Sequence, residues 1–129
     1  MGKLKKETDG WLKKSESALQ AAESLLKQDL LSDSVSRAYY AMFYAVKALL
    51  SQDGISVNKH SAAISAFGKS YAKTGKLPNE LHKQIINAFE ERDKADYDVL
   101  WEITEDLAHK RINEARSFVD EVIAFLKED

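Results

Sequence analysis

The sequence predicts an all-α fold, an up-and-down bundle of four to five helices, on three observations. Apolar residues recur at spacings of three and four along most of the chain, the period of a helix with one buried face. No segment alternates apolar and polar residues as a half-buried strand does. Five Gly and a single Pro leave little material for β-turns, which favours long helices with few connections.

The first helix is expected from about Lys3 to Lys27, on a stripe of Leu12, Leu19, Ala22, Leu25 and Leu26. A second follows Leu31-Ser32-Asp33, with Ser32 or Asp33 as N-cap, and runs to about Gln52. Gly54 is the natural left-handed residue to end it. Projected at about 100° per residue, Val35, Ala38, Tyr39, Met42, Phe43, Ala45, Val46, Leu49 and Leu50 share one broad arc, which makes this the central core helix. The opposite arc holds Arg37, Tyr40, Tyr44, Lys47 and Ser51, flanked by Ala41 and Ala48. Two readings stay open for it: a functional face, or partial burial under the first or last helix.

Asn58 is the expected N-cap of a third helix carrying His60, Ile64, Phe67 and Tyr71. Thr74 to Pro78 is the longest breaker, and Pro78 suits the first turn of a fourth helix continuing to about Arg92. Asp96 to Ile103 reads as an irregular connection. A fifth helix from about Thr104 to Lys127 turns Leu107, Ala115, Phe118, Val122, Phe125 and Leu126 inward. No repeat, low-complexity tract or linker divides the 129 residues, so one domain over residues 1–129 is expected.

Composition narrows the function classes. Apolar residues are 44% and charged residues 31%, values of a globular chain. The absence of cysteine excludes disulfides, thiolate zinc sites and cysteine nucleophiles. No apolar run approaches the roughly 20 residues of a membrane span. The start, Met1-Gly2-Lys3-Leu4-Lys5-Lys6, is basic without an apolar region behind it, and Lys6 replaces the Ser or Thr of a myristoylation signal; a cytoplasmic location is expected. A net charge of −2 argues against a general nucleic-acid coat, though not against a site for one phosphodiester.

The charged run Glu90 to Asp98 carries the strongest functional signal. Leu81, Ile85, Ala88 and Phe89 share a helix face, and the same spiral places Arg92 in the middle of it. A guanidinium aimed inward needs an anionic partner, because an unpaired buried charge is costly. Asp96, four residues on, is one candidate and a bound phosphate is another. His60, alone on its stripe, reads first as a packed or capping histidine, while His82 and His109 fall on polar arcs and read as surface residues. Glu90-Glu91 and Glu105-Asp106 read as solvated or helix-start carboxylates. No His and carboxylate pair has helical metal-ligand spacing and no Gly-rich phosphate loop occurs, so neither a metal nor another cofactor is expected.

Ser36 to Leu50, Lys59-His60 and Arg92-Asp93-Lys94-Ala95-Asp96-Tyr97 occur in an order that resembles the HEPN domain (higher eukaryote and prokaryote nucleotide-binding), in its stand-alone prokaryotic branch of uncharacterised proteins. The resemblance spans about Leu12 to Leu126, and R-x-Y-Y-A with R-x-x-x-D-Y carries it. It implies a helical bundle that forms a homodimer and is often paired with a minimal nucleotidyltransferase antitoxin. It further implies a metal-independent ribonuclease toxin acting on RNA. The family's signature is an Arg, a polar residue, and a His four to six residues beyond the Arg. Arg92 and Asp93 match; Asp96 and Tyr97 stand where the His would be sought, and the next His is His109. On that resemblance the catalytic candidates are Arg92, Asp93, Asp96 and Tyr97, with His60 able to supply an imidazole from another helix if the fold brings it near Arg92. Arg37, Tyr40, Tyr44 and His60 are candidates for binding a nucleotide or the partner protein, and the dimer is expected to use the Arg37/Tyr40/Tyr44 face with the charged end of the fourth helix. The alternatives are a non-catalytic binding module, or an Arg92–Asp96 pair that is merely structural.

Overall fold

Five helices and no strand make up the described residues, 3–128, of the computed structural model: α1 (Lys6–Lys27), α2 (Leu31–Gln52), α3 (His60–Phe67), α4 (Asn79–Tyr97) and α5 (Glu105–Leu126). Met1, Gly2 and Asp129 lie outside the described residues, and with them the reading of the Met1-Gly2 start. The expected all-α bundle is the fold of this chain. No helix among the described residues is long and apolar enough to cross a membrane.

α2 is the hub, packed by every other helix. Its small residues decide how close α1 comes. Ala41, Ala45 and Ala48 have no exposed surface, and buried Ser15 of α1 donates to the Ala41 carbonyl at 2.7 Å. Thr8 meets Ser51 at 2.9 Å at the other end, so α1 and α2 run antiparallel. Partial burial under α1 therefore accounts for the alanines flanking the polar arc, and Tyr44 stacks on Trp11 of α1.

Two helix ends share one device. After α2, Gly54 (φ 72°) donates to Ser51 and Ile55 to Leu50, the paired reverse bonds of a left-handed C-terminal cap. After α1, Asp29 takes the same role at φ 59°, with Asp29 donating to Leu26 and Leu30 to Leu25. That tight reversal leads straight into α2 at Leu31, so neither Ser32 nor Asp33 is its N-cap; the Ser34 hydroxyl turns back to the Leu31 carbonyl at 2.7 Å. α3 likewise begins at His60 after Lys59 and not at Asn58.

α3 continues as a single π turn, Gly68–Ala72. A Cβ on Gly68 would collide with the ring of His82, so the glycine is what lets the imidazole rest on backbone. His82 is thus half-buried beside Phe67, correcting its reading as an ordinary surface residue. α4 runs five residues beyond Arg92, because no breaker intervenes before the extended Asp98. Asp96 and Tyr97 are helical, not part of a loop. Thr104 caps α5, its hydroxyl accepting from Leu107 N at 3.2 Å, with Glu105 and Asp106 in the first turn. Glu91, expected to be solvated, is instead gripped by Arg111 of α5 through two bonds of 2.6 and 2.9 Å. Arg116 holds Glu23 of α1 in the same way.

Candidate functional site

Leu81, Ile85 and Ala88 are buried on the inner face of α4, and Arg92 continues their stripe with a side chain only 12% exposed. Its guanidinium carbon lies 5.4 Å from the ring centres of Tyr39 and Phe89 and 5.7 Å from that of Tyr40. Ring faces attract a cation but accept no strong hydrogen bond, so they orient the group without satisfying it. Asp96 engages one nitrogen, with Nη1 at 3.5 Å from Oδ2, while its Oδ1 accepts from Ser36 of α2 at 3.1 Å. The Nε of Arg92 is buried and has no hydrogen-bond partner among the described residues.

His60 enters from the first turn of α3. Its ring lies parallel to Phe43 at 4.0 Å, and Nδ1 is 2.7 Å from the hydroxyl of fully buried Tyr39. Tyr39 therefore touches both halves of the cluster: His60 through its hydroxyl and Arg92 through its ring. Burial pushes the Tyr39 phenol well above its ordinary range, with Arg92 pulling weakly the other way, so it stays protonated. Desolvation first, then the charges of Arg92 and Lys47, lower His60 from its ordinary 6.5 and keep it neutral at pH 7. Two tautomers satisfy the short contact. If Tyr39 donates to Nδ1, Nε2–H is a donor to an anion; if Nδ1–H donates to Tyr39, Nε2 is free to accept a proton.

Arg92, Asp96, His60 and Tyr40 thus form one cluster, with Arg37 capping Tyr40 at 5.0 Å. Asp93 is exposed and makes no bond to the cluster among the described residues, and Tyr97 is 75% exposed at the end of α4. Tyr44 lies one ring further along α2, 5.9 Å from Tyr40. Tyr39, Phe43, Ser36 and Phe89 complete the cluster and were not singled out from the sequence as site residues. Tyr39 carried a usable signal, since a tyrosine on a core arc must find a partner for its hydroxyl. Among the described residues no three His, Asp or Glu side chains group as metal ligands would.

The HEPN domain family matches residues 8–127, nearly the whole chain. This chain belongs to the HEPN family. It is 38% identical over 122 residues to the "UPF0332 protein" of Thermotoga maritima, covering 95% of this chain and 92% of that one. It is also similar to two proteins of Methanocaldococcus jannaschii. "Putative toxin MJ0142" is 36% identical, with 96% of this chain and 84% of that one covered. "Putative toxin MJ0605" is 34% identical, with 97% and 92% covered. The HEPN resemblance read from the core-helix and Arg92 motifs is correct.

Proposed function

We propose that this HEPN chain is a toxin-type RNA endonuclease that works without a metal ion, with Arg92 gripping the scissile phosphate and His60 moving the proton. One observation carries the reading: a nearly buried guanidinium, held by three rings, keeps a buried Nε without a partner beside a neutral imidazole. A phosphate reaching the exposed part of the guanidinium would be gripped bidentately, as Arg does. In the reaction His60 Nε2 takes the proton of the ribose 2′-hydroxyl. The 2′ oxygen forms a bond to phosphorus, the bond to the 5′ oxygen breaks, and that oxygen takes a proton from solvent. Arg92 balances the charge of the crowded phosphorane. The products would be a 2′,3′-cyclic phosphate and a 5′-hydroxyl. Asp96 holds Arg92 in position, and repulsion from the substrate's phosphates makes it a poor base.

A non-catalytic binding module is the second reading, and one observation favours it. Among the described residues the buried Tyr39 hydroxyl has no acceptor but His60 Nδ1, and the tautomer that satisfies it leaves no lone pair on Nε2. Incubating the purified protein with end-labelled single-stranded RNA in excess chelator decides between them. Cyclic-phosphate products that vanish in Arg92→Ala support the endonuclease. RNA binding without cleavage, lost in Arg92→Ala, supports the module. In either case we propose a homodimer formed through the exposed Tyr97–Leu100 segment, and a minimal nucleotidyltransferase as the neutralising partner.

A further inference from the structure

The polar arc of α2 does not end at the Arg92 cluster. Tyr40 stands edge-on to His60 at 5.8 Å, and from there three rings follow one another. Tyr40 and Tyr44 are 5.9 Å apart, and Tyr44 stacks on Trp11 of α1 at 5.8 Å and 28°. Each ring carries a cation. Arg37 lies 5.0 Å over Tyr40, Lys14 lies 4.9 Å over Tyr44, and Lys47 lies 5.3 Å from the centre of Trp11. The row runs out in a recess of about 300 Å³ where Lys5 and Lys47 meet Trp11, Ser51 and Asn58, with Glu7 the one carboxylate of its lining. None of the three rings is fully buried, and Lys14 is exposed.

We propose that this row is the path of a single RNA strand leading to the Arg92 site, a reading that rests on Arg92 and His60 acting on RNA. A base that stacks here displaces Arg37 from the face of Tyr40 or Lys14 from that of Tyr44, and each displaced cation is then placed to take an intervening phosphate, the combination that binds single strands without sequence readout. Charge supports this occupant over another protein surface. The chain as a whole is at −2, yet Arg37, Lys14, Lys47 and Lys5 gather along this strip. Continuity supports it too, because the row begins on the ring of His60.

Trp11 and Trp101 are the two tryptophans, so Trp101→Phe leaves Trp11 as the sole fluorescent reporter. A 12-nucleotide oligouridine should quench Trp11 at concentrations where uridine monophosphate does not. Lys14→Glu should weaken the oligomer about tenfold or more and flatten its salt dependence, with melting temperature unchanged. Oligomer that binds without altering Trp11 emission, or that ignores Lys14→Glu, overturns the path. Emission that changes with protein concentration alone, and not with RNA, also overturns it by showing a second copy on this face. Arg92→Ala separates the two claims. Quenching by an oligomer that wild-type protein never cleaves sinks the endonuclease and keeps the path. Cleavage that depends on Arg92, with Trp11 unmoved, sinks the path alone.

Discussion

Among the described residues Arg92 has one anionic neighbour and three ring faces, an arrangement that separates its two roles experimentally. Were the Asp96 pair its purpose, removing the guanidinium would strand only a carboxylate that keeps its bond from Ser36 and a third of its surface in water. Arg92→Ala is therefore expected to lower stability by only about 1 kcal/mol, roughly one cation–π contact, in thermal melts. RNA cleavage should fall by about a hundredfold or more, the scale for losing a group that balances charge in the transition state. Arg92→Lys should fail nearly as badly, since it keeps the charge and loses the fork. His60 gives a pH signature. Its folded pKa lies below the ordinary 6.5, so in the interval between the two values the unfolded chain binds more protons than the folded one. Stability is full above 6.5, falls as pH drops through that interval, and changes no further from this group below the folded value. The cleavage rate should fall on the same acid side as Nε2 becomes protonated. His60→Gln should abolish cleavage and flatten the melting temperature between pH 7 and 5. The inward Arg92 was readable from helical period alone. The Tyr39–His60 bond was not, because it joins residues 21 apart whose meeting depends on how α3 docks on α2.

Helix ends and seams carry the element-scale consequences. Gly54 sits at φ 72°, where a Cβ is strained whatever space surrounds it; Gly54→Ala should cost about 1 kcal/mol in denaturant unfolding. Asp29 holds the equivalent place at φ 59°, so Asp29→Gly should stabilise or leave the melt unchanged, the opposite sign at the same geometry. Ala41 has no exposed surface under α1, and Ala41→Leu should wedge the α1–α2 seam apart at about 1–3 kcal/mol. Sequence patterning found Gly54 because glycine announces itself, and missed Asp29 because aspartate also reads as a cap or turn. It ended α4 at Arg92 because the next residues are polar. Charged residues stop an apolar stripe without stopping a helix, and the last turn of α4 is what hands Asp96 to Arg92.

At the scale of the molecule the bundle followed from composition and period, since long stripes with few breakers admit little else. How many copies act together did not follow, because a solvated surface and an interface can carry the same residues. The exposed surface now gives a sharper expectation. Val99 is 97% exposed, Leu100 87% and Tyr97 75%, three large side chains within four residues at the end of α4. Single exposed apolar residues need no explanation, but three within four residues, interrupted only by Asp98, are a candidate contact. This run follows the turn that bears Arg92 and Asp96, so a two-fold contact through it would bring two Arg92 clusters close to one axis. Light scattering at tens of micromolar should therefore report a dimer. The double change Val99→Ser with Leu100→Ser should yield a monomer whose melting temperature, measured at dilutions where the wild type is also monomeric, moves by no more than about 0.5 kcal/mol in equivalent stability. A monomeric wild type would refute the contact. A dimer untouched by the double change would place it elsewhere, with the Arg37/Tyr40/Tyr44 face the next to test. That second result would also compete directly with an RNA strand for Tyr40 and Tyr44, so adding oligouridine should then dissociate the dimer.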